Sequence, residues 1–527
     1  MVLSTKSLPT EHTPLRQDNA GGPGNGSSVK DASINIAKVC IGTGMLALPF
    51  AVSQGGLLTG ALGLAIIALW NDHASHLLYN LRARLHKDTY ASLAAHLFGR
   101  HAAVVVNICN IATLLGVITV YTITFAELLH DTPLALSAGG VTTSSWRESL
   151  LCALLVLPLS FWRHLGALTR SSFLGLIFLI AGFGAIFYYG VLQYGITGLG
   201  TVLNDEGNDV GAGYCHTGSA TPSASSSSLF FPDSADAASR YFGVAAFCYG
   251  IPPLQFSLQD SMTEPTLYPL AARRALLIVW FTYVVCGVGI AFLYRCDPLG
   301  VEENCLENLP TDSAAASAVR LCYAVVCVTS IPLCLAPVAD MTEKAICGGD
   351  DTSSSNNSNG FDEDVATVTS TNPQTTTIYS PPMVANARQI RLFRNIVRPR
   401  LLIVRLVLVC IATSIAIAAP HFGLIVAIIG SFSVSLLSFV LPSAMHLAVI
   451  TGDVMTAECF PRRQYQVFEG FESSEVITST LRGGNGVCGS QWVTREMARE
   501  GVLLAFGVAT CILTTTLTVL SAAGAIQ

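Results

Sequence analysis

Gly42-Thr43-Gly44 interrupts an apolar stretch, residues 33–56, that is otherwise long enough to cross a bilayer, and Pro49 follows five residues later. Glycine releases the backbone from the helical well, and proline removes a donor from the ladder. Bare N–H and C=O groups in hydrocarbon are costly, so such a break persists only where something polar satisfies them. A small zwitterion does so well, its carboxylate meeting a helix N-terminus and its ammonium meeting loose carbonyls. The blander account is a kinked helix packed through small residues. A second break of the same kind falls in residues 238–258, at Gly250 and Pro252-Pro253. Lys38 sits one turn before the first break, where an ammonium must be paired, neutral or snorkelling to the interface.

The elements that must hold these groups are membrane helices. Of the 527 residues 51% are hydrophobic and 12% charged, against about 25% charged in soluble domains. The apolar runs are continuous rather than alternating, which excludes a β-barrel. The formal charge of −6 does not point to nucleic acid. Residues 1–30 are polar, rich in Gly, Ser and Pro, and read as a disordered tail without a cleavable signal. Most of the 16 cysteines lie inside apolar runs as small hydrophobes, with neither CxxC pairs nor zinc spacing, so no metal or cofactor is expected. Asp72, His73 and His76 give a helical HxxH, but no third ligand stands near them.

The expected class is all-α and polytopic, with eleven spans near residues 33–56, 57–81, 102–129, 149–162, 171–195, 238–258, 273–295, 314–338, 401–419, 421–450 and 500–523. Arg273 and Arg274 open the seventh, and residues 340–400 form a low-complexity loop. With the N-terminus cytosolic, nearly every Lys and Arg outside the spans falls on the inner side, as the positive-inside rule demands. The broken spans are the first and the sixth. That is the layout of an inverted repeat of five helices, residues 31–195 against 237–450, plus one extra helix, with a site at the midplane between the breaks. A carrier fits it. No Ser/His/Asp or paired-Asp constellation sits at matching depth, so an enzyme does not.

These residues resemble the amino acid/auxin permeases, a eukaryotic branch of the LeuT-type transporters. Asn35 through Gly42-Thr43-Gly44 to Gly55-Gly56 looks like that family's first-span signature. Phe247-Cys248-Tyr249 followed by Ser261-Met262-Thr263-Glu264-Pro265 is similar to the sixth-span signature of its vacuolar members. Val120-Tyr121 with Ala126-Glu127, Ile331-Pro332 with Pro337, and Gly430-Ser431 through Ser438-Phe439 to Pro442 resemble the third, eighth and tenth spans. The resemblance implies that Gly42, Thr43 and Gly44 offer amides to a substrate carboxylate and that the carbonyls of Phe247 and Cys248 take its amino group. Tyr121 closes one side, and Met45 and Tyr249 complete the lining. Pro252 and Phe256 depart from the pattern, the first where many relatives have His or Gln, the second where they have proline.

The resemblance also bears on coupling. The sodium-coupled branch carries Asn at the place of Lys38, and a hydroxyl at the place of Ser330 helps hold the ion; proton-coupled members have Lys. A fixed cation stands in for Na⁺, so proton-coupled or sodium-independent transport of amino acids is expected, neutral ones favoured because no other ionised side chain lines the pocket. A sodium-coupled symporter and an amino acid sensor of the same fold are the alternatives. Glu127 is a further buried-acid candidate, or an interfacial one. Relatives also have a bridge that implies Cys215–Cys305 here, with Cys296 able to compete. Arg320 and Arg405 read as anchors. A plasma membrane and a vacuolar or lysosomal membrane both fit.

Overall fold

The computed structural model describes residues 27–132, 146–161, 165–194, 230–295, 300–311, 313–347, 399–419, 421–459 and 487–526. Among them the chain is helical apart from turns, loops and one isolated bridge between Ser27 and Met262. Helix α1 (Val29–Cys40) starts at Ser28, whose side chain accepts from the Asp31 amide, with Asp31 in the first turn where the helix dipole favours an acid. Its direct successor α2 (Gly44–Gly55) is bent from it by 61°. Gly56 ends α2 at φ +82°, and a Cβ there would stand 2.6 Å from the Phe230 backbone.

The next helix, α3 (Leu57–Leu85), buries Leu64, Ile67, Ala68, Asn71, Ala74, Ser75 and Leu78 at helical spacing. Leu58, Leu62, Ile66 and Leu69 on its other side are exposed, Leu69 by 70%. An apolar helix with leucines on both faces is at ease only in lipid. α4 (Tyr90–Phe98) is short and opens on a capping box of Thr89 and Ser92. α5 (Arg100–His130), α6 (Trp146–Phe161) and α7 (Leu165–Tyr194) follow. α8 (Ala235–Cys248) ends in three non-helical residues, a 3₁₀ turn at Pro252–Leu254 and the stub α9 (Gln255–Asp260).

α10 (Pro265–Leu293) contains a π turn at Val284–Val288. α11 (Ala314–Cys347) and α12 (Pro399–Ala418) precede α13 (Phe422–Gly452), which carries π turns at Gly430–Val434 and Leu436–Val440. α14 (Val487–Ile526) is last. By length and composition α3, α5, α10, α11, α13 and α14 can each cross a bilayer, and the bent pair α1–α2 makes a seventh span. In the core α5 packs against α11 and α12, α1 lies along α10, and α8 is held between α2, α13 and α14.

Several boundaries differ from the sequence expectation. Residues 27–30 are ordered rather than tail: the Ser27 amide donates to Ser261 O at 2.9 Å and the Thr263 amide to Ser27 O at 3.1 Å, which ties the start of α1 to the end of α9. Residues 82–100, between the expected second and third spans, hold the last turn of α3 and all of α4. α10 begins at Pro265, not at Arg273, because proline is well suited to a first helical turn. α11 continues through Pro332 and Pro337 to Cys347, so residues 340–347 are helix and not loop. Arg495 and Arg499 lie on α14, where the Arg499 guanidinium reaches Glu496 at 2.6 Å, one turn away.

Candidate functional site

The first break is a tight turn. The Gly42 amide donates to Cys40 O at 2.8 Å, then the Met45 amide to Gly42 O at 3.2 Å and the Leu46 amide to Thr43 O at 2.9 Å. The Gly42 N–H is therefore already used, contrary to its expected role as a donor. The amides at the head of α2, those of Thr43 and Gly44, have no carbonyl within the helix to reach and are the ones a ligand carboxylate can meet. Tyr121 Oη lies 3.7 Å from where a Cβ on Gly42 would stand, an ordinary van der Waals distance, so the two are neighbours across the turn.

The second break lies directly against the first. A Cβ on Gly44 would fall 2.8 Å from Phe247 Cδ1 and 3.2 Å from Cys248 Sγ, so only glycine lets α2 start where α8 ends. The Gly250 amide donates to Phe247 O at 3.1 Å. The Cys248 carbonyl meets the hydroxyl of Tyr283, from α10, at 2.9 Å, and the same hydroxyl lies 2.6 Å from Cys40 O. Met45 and Tyr249 face the core instead: both are almost fully buried, and the Tyr249 ring meets that of Tyr283 edge-on at 5.2 Å.

Beside the breaks is a cavity of about 50 Å³, lined by Lys38, Gly42, Tyr121, Tyr323, Val326 and Ser330, with Gly175 and Leu179 of α7 closing it. At about 10–15 Å³ per water it takes roughly three to five waters. Lys38 and Ser330 thus line one space. Tyr323, Val326 and Ser330 repeat at i, i+3 and i+7 on α11, a spacing that marks one helix face and would have found Tyr323. Tyr283 carries no such signal, since nothing local distinguishes it from the other aromatics of α10.

Glu127 is elsewhere. It lies about 9 Å along α5 from Tyr121 at 1.5 Å per residue, and its Oε2 accepts from Asn304 Nδ2 at 3.1 Å. Asn304 belongs to a loop, residues 300–311, that is tied into the bundle at several points. Glu303 Oε2 accepts from the Gly423 amide at the head of α13 at 2.9 Å, and the Cys305 amide donates to Leu46 O at 3.2 Å, two residues past the first break. Arg320 is no anchor: its side chain is fully buried, donates to the carbonyls of Leu309 and Glu307, and lies 3.9 Å from Asp131. Cys305 is a buried free thiol, and its expected partner Cys215 lies outside the described residues, as does Cys296.

Burial pushes the Glu307 carboxyl up to about 8, reinforced by Asp131 and Glu302 and opposed by Arg320. Asp131 is raised as well, by burial, with Arg320 and His130 opposing. A carboxyl raised in the closed loop favours that closed form most at low pH, and the advantage is lost as pH climbs from the ordinary 4.5 towards about 8. Hydrogen exchange of residues 300–311, corrected for intrinsic rates, should therefore be slow at pH 5.5 and markedly faster near pH 9. Glu307→Gln should flatten the difference; equal protection at both pH values in the wild type would count against it.

The histidines of α3 serve different partners. His73 Nε2 meets Glu500 of α14 at 3.0 Å, whereas His76 meets Arg273 at 3.1 Å. Arg405 donates to the carbonyl of Ser160 and so joins α12 to α6.

The family model described as "Transmembrane amino acid transporter protein" matches residues 25–465. The chain is similar to vacuolar amino acid transporter 3 of Saccharomyces cerevisiae, 24% identical over 64% of this chain and 45% of that protein. A putative sodium-coupled neutral amino acid transporter 11 of Danio rerio is 24% identical over 62% of this chain and 67% of that protein. Amino acid transporter AVT1B of Arabidopsis thaliana is 24% identical over 85% of this chain and 70% of its own length. The chain spans about half the length of the yeast vacuolar relatives it matches.

Proposed function

The chain belongs to the transmembrane amino acid transporter family, and from that premise we propose that it is a secondary active carrier of neutral amino acids that is proton-coupled or sodium-independent. The observation that carries this is the contact of the two helix breaks at Gly44, Phe247 and Cys248, with Gly42 of the first break lining a polar cavity. The carboxylate docks on the Thr43 and Gly44 amides at the head of α2, and the ammonium seeks the carbonyls at the ends of α1 and α8. Eleven spans with a cytosolic N-terminus, arranged as five plus five plus one, give these breaks the same depth from opposite directions. Alternating access then amounts to rocking one repeat against the other around a site at their shared centre.

Lys38 supports the coupling assignment. Lys38 lines the cavity with Ser330, and a cation at this wall would repel Na⁺ while it can exchange a proton. In proteoliposomes loaded against a panel of radiolabelled amino acids, uptake should survive replacement of Na⁺ by choline and respond to an imposed pH gradient. Lys38→Gln should remove the response to the gradient and slow uptake about tenfold, which corresponds to roughly 1.4 kcal/mol in the barrier. Uptake that collapses in choline and ignores the gradient would instead favour the sodium-coupled reading.

A further inference from the structure

Tyr283 holds the two broken helices with one proton. Its hydroxyl lies 2.6 Å from the carbonyl of Cys40, the last residue of α1, and 2.9 Å from that of Cys248, the last residue of α8. Both distances are those of a full O–H···O hydrogen bond, yet a phenol has a single hydrogen to donate. One acceptor is therefore always under-served. The ring cannot turn away to relieve this, because it is fully buried and packs edge-on against Tyr249, the first residue of the second break.

Its own helix is adapted around it. Tyr283 directly precedes the π turn of Val284–Val288, and inside that turn a Cβ on Gly287 would stand 3.0 Å from Leu48 of α2. One extra residue per turn at this point sets the register so that α10 touches α1, α2 and α8 within two turns. The surroundings are otherwise neutral: Cys40 and Cys248 present buried thiols, and Tyr249 and Tyr268 present phenols. Cys40 O has the Gly42 amide as a second donor at 2.8 Å. Cys248 O, with the longer contact to the phenol, is the acceptor an arriving donor can take over.

The geometry points to Tyr283 as a positioning residue whose phenolic proton is shared between the Cys40 and Cys248 carbonyls, so that the ammonium of the carried amino acid takes the acceptor that the phenol releases. This rests on the carrier reading and adds to it a competitor for the amine subsite. While the site is empty the phenol bridges both ends and the breaks move together. When the ammonium donates to Cys248 O, the phenol commits to Cys40 O, and the ligand replaces the link that the phenol gives up. Primary ammonium groups fit this exchange because they bring several protons to carbonyls on more than one side; N,N-dimethylated analogues, with a single proton, do not.

The test is uptake of radiolabelled L-alanine, L-leucine and L-glutamine into proteoliposomes by the full chain and its variants. Tyr283→Phe keeps the ring and removes the proton. It should lower KM at least threefold, since the competitor for the amine site is gone, and lower the maximal rate about tenfold per transporter, since the breaks are no longer linked. A purely structural role would lower the maximal rate alone through lost protein. 2,3-Difluorotyrosine at position 283, a stronger donor of nearly the same shape, should shift KM the other way. Where Tyr283→Phe does not reach the membrane, the fluorinated chain decides alone: a raised KM sustains the inference and an unchanged KM overturns it. Wild-type uptake with both variants flat in KM overturns this inference and leaves the carrier reading standing, whereas no uptake of any probe by the wild type removes the carrier reading itself.

Discussion

Gly430→Ala is expected to abolish transport and sharply reduce the folded yield. A Cβ at Gly430 would stand 1.8 Å from the Gly243 carbonyl oxygen and 2.9 Å from Phe247 Cβ. The facing position is crowded too, a Cβ on Gly243 falling 2.4 Å from Ala427 O. α8 and α13 thus cross with their backbones in contact, and no rotamer change can make room. Separating two helices within a packed interior costs about 1–3 kcal/mol in ordinary overpacking and more where backbone meets backbone. The displacement also reaches function directly, because the α8 segment that must move carries Phe247, which lies over Gly44 at the first break. Thermal melting of the solubilised protein should drop by several degrees, and uptake should fall at least tenfold, about 1.4 kcal/mol or more in rate terms. Melting and uptake at wild-type values would overturn the backbone-to-backbone crossing of α8 and α13 as the constraint at this position.

Arg320→Met should be nearly as damaging, at the opposite level of organisation. The guanidinium is wholly buried, caps the Leu309 and Glu307 carbonyls, and is the charge facing Asp131 and Glu307. Removing one member of such a buried set typically costs about 3–5 kcal/mol, because the remaining charge stays behind unopposed. With the cation gone, Asp131 and Glu307 should hold their protons more strongly, and the loop of residues 300–311 should lose the grip on its C-terminal end. The expected readouts are a lower melting temperature and faster exchange in that loop even at pH 5.5. Adding Asp131→Asn should recover part of the loss, since one of the stranded acids is then neutral. A double variant no better than the single one would assign Arg320 to carbonyl capping rather than to charge balance.

The positions of the breaks were legible from residue type alone. Gly42, Gly44 and the pair Pro252-Pro253 interrupt a helix by what they lack, a Cβ or an N–H, and neither lack depends on tertiary context. Lys38 was likewise recognisable, because an ammonium at bilayer depth is rare enough to require a reason, whereas Ser330 was singled out only by the family resemblance. Helix ends were less so. α11 runs on past Pro332 and Pro337 to Cys347 instead of ending near residue 338, and α10 starts at Pro265 instead of at Arg273.

What composition and pattern determined was the kind of object: an apolar, polytopic, helical chain with two opposed interruptions, since burial in lipid forces every backbone group into a helix or towards a polar partner. What only the folded arrangement decided was who serves as that partner. Tyr283 reaches Cys40 and Cys248 across gaps of 243 and 35 residues, and Arg320 meets Asp131 and the loop before α11 from another helix altogether. Hydrogen bonds act over about 3 Å regardless of separation along the chain, so no periodicity in the sequence records them. The donors at the two breaks could be found only once the helices had been brought together.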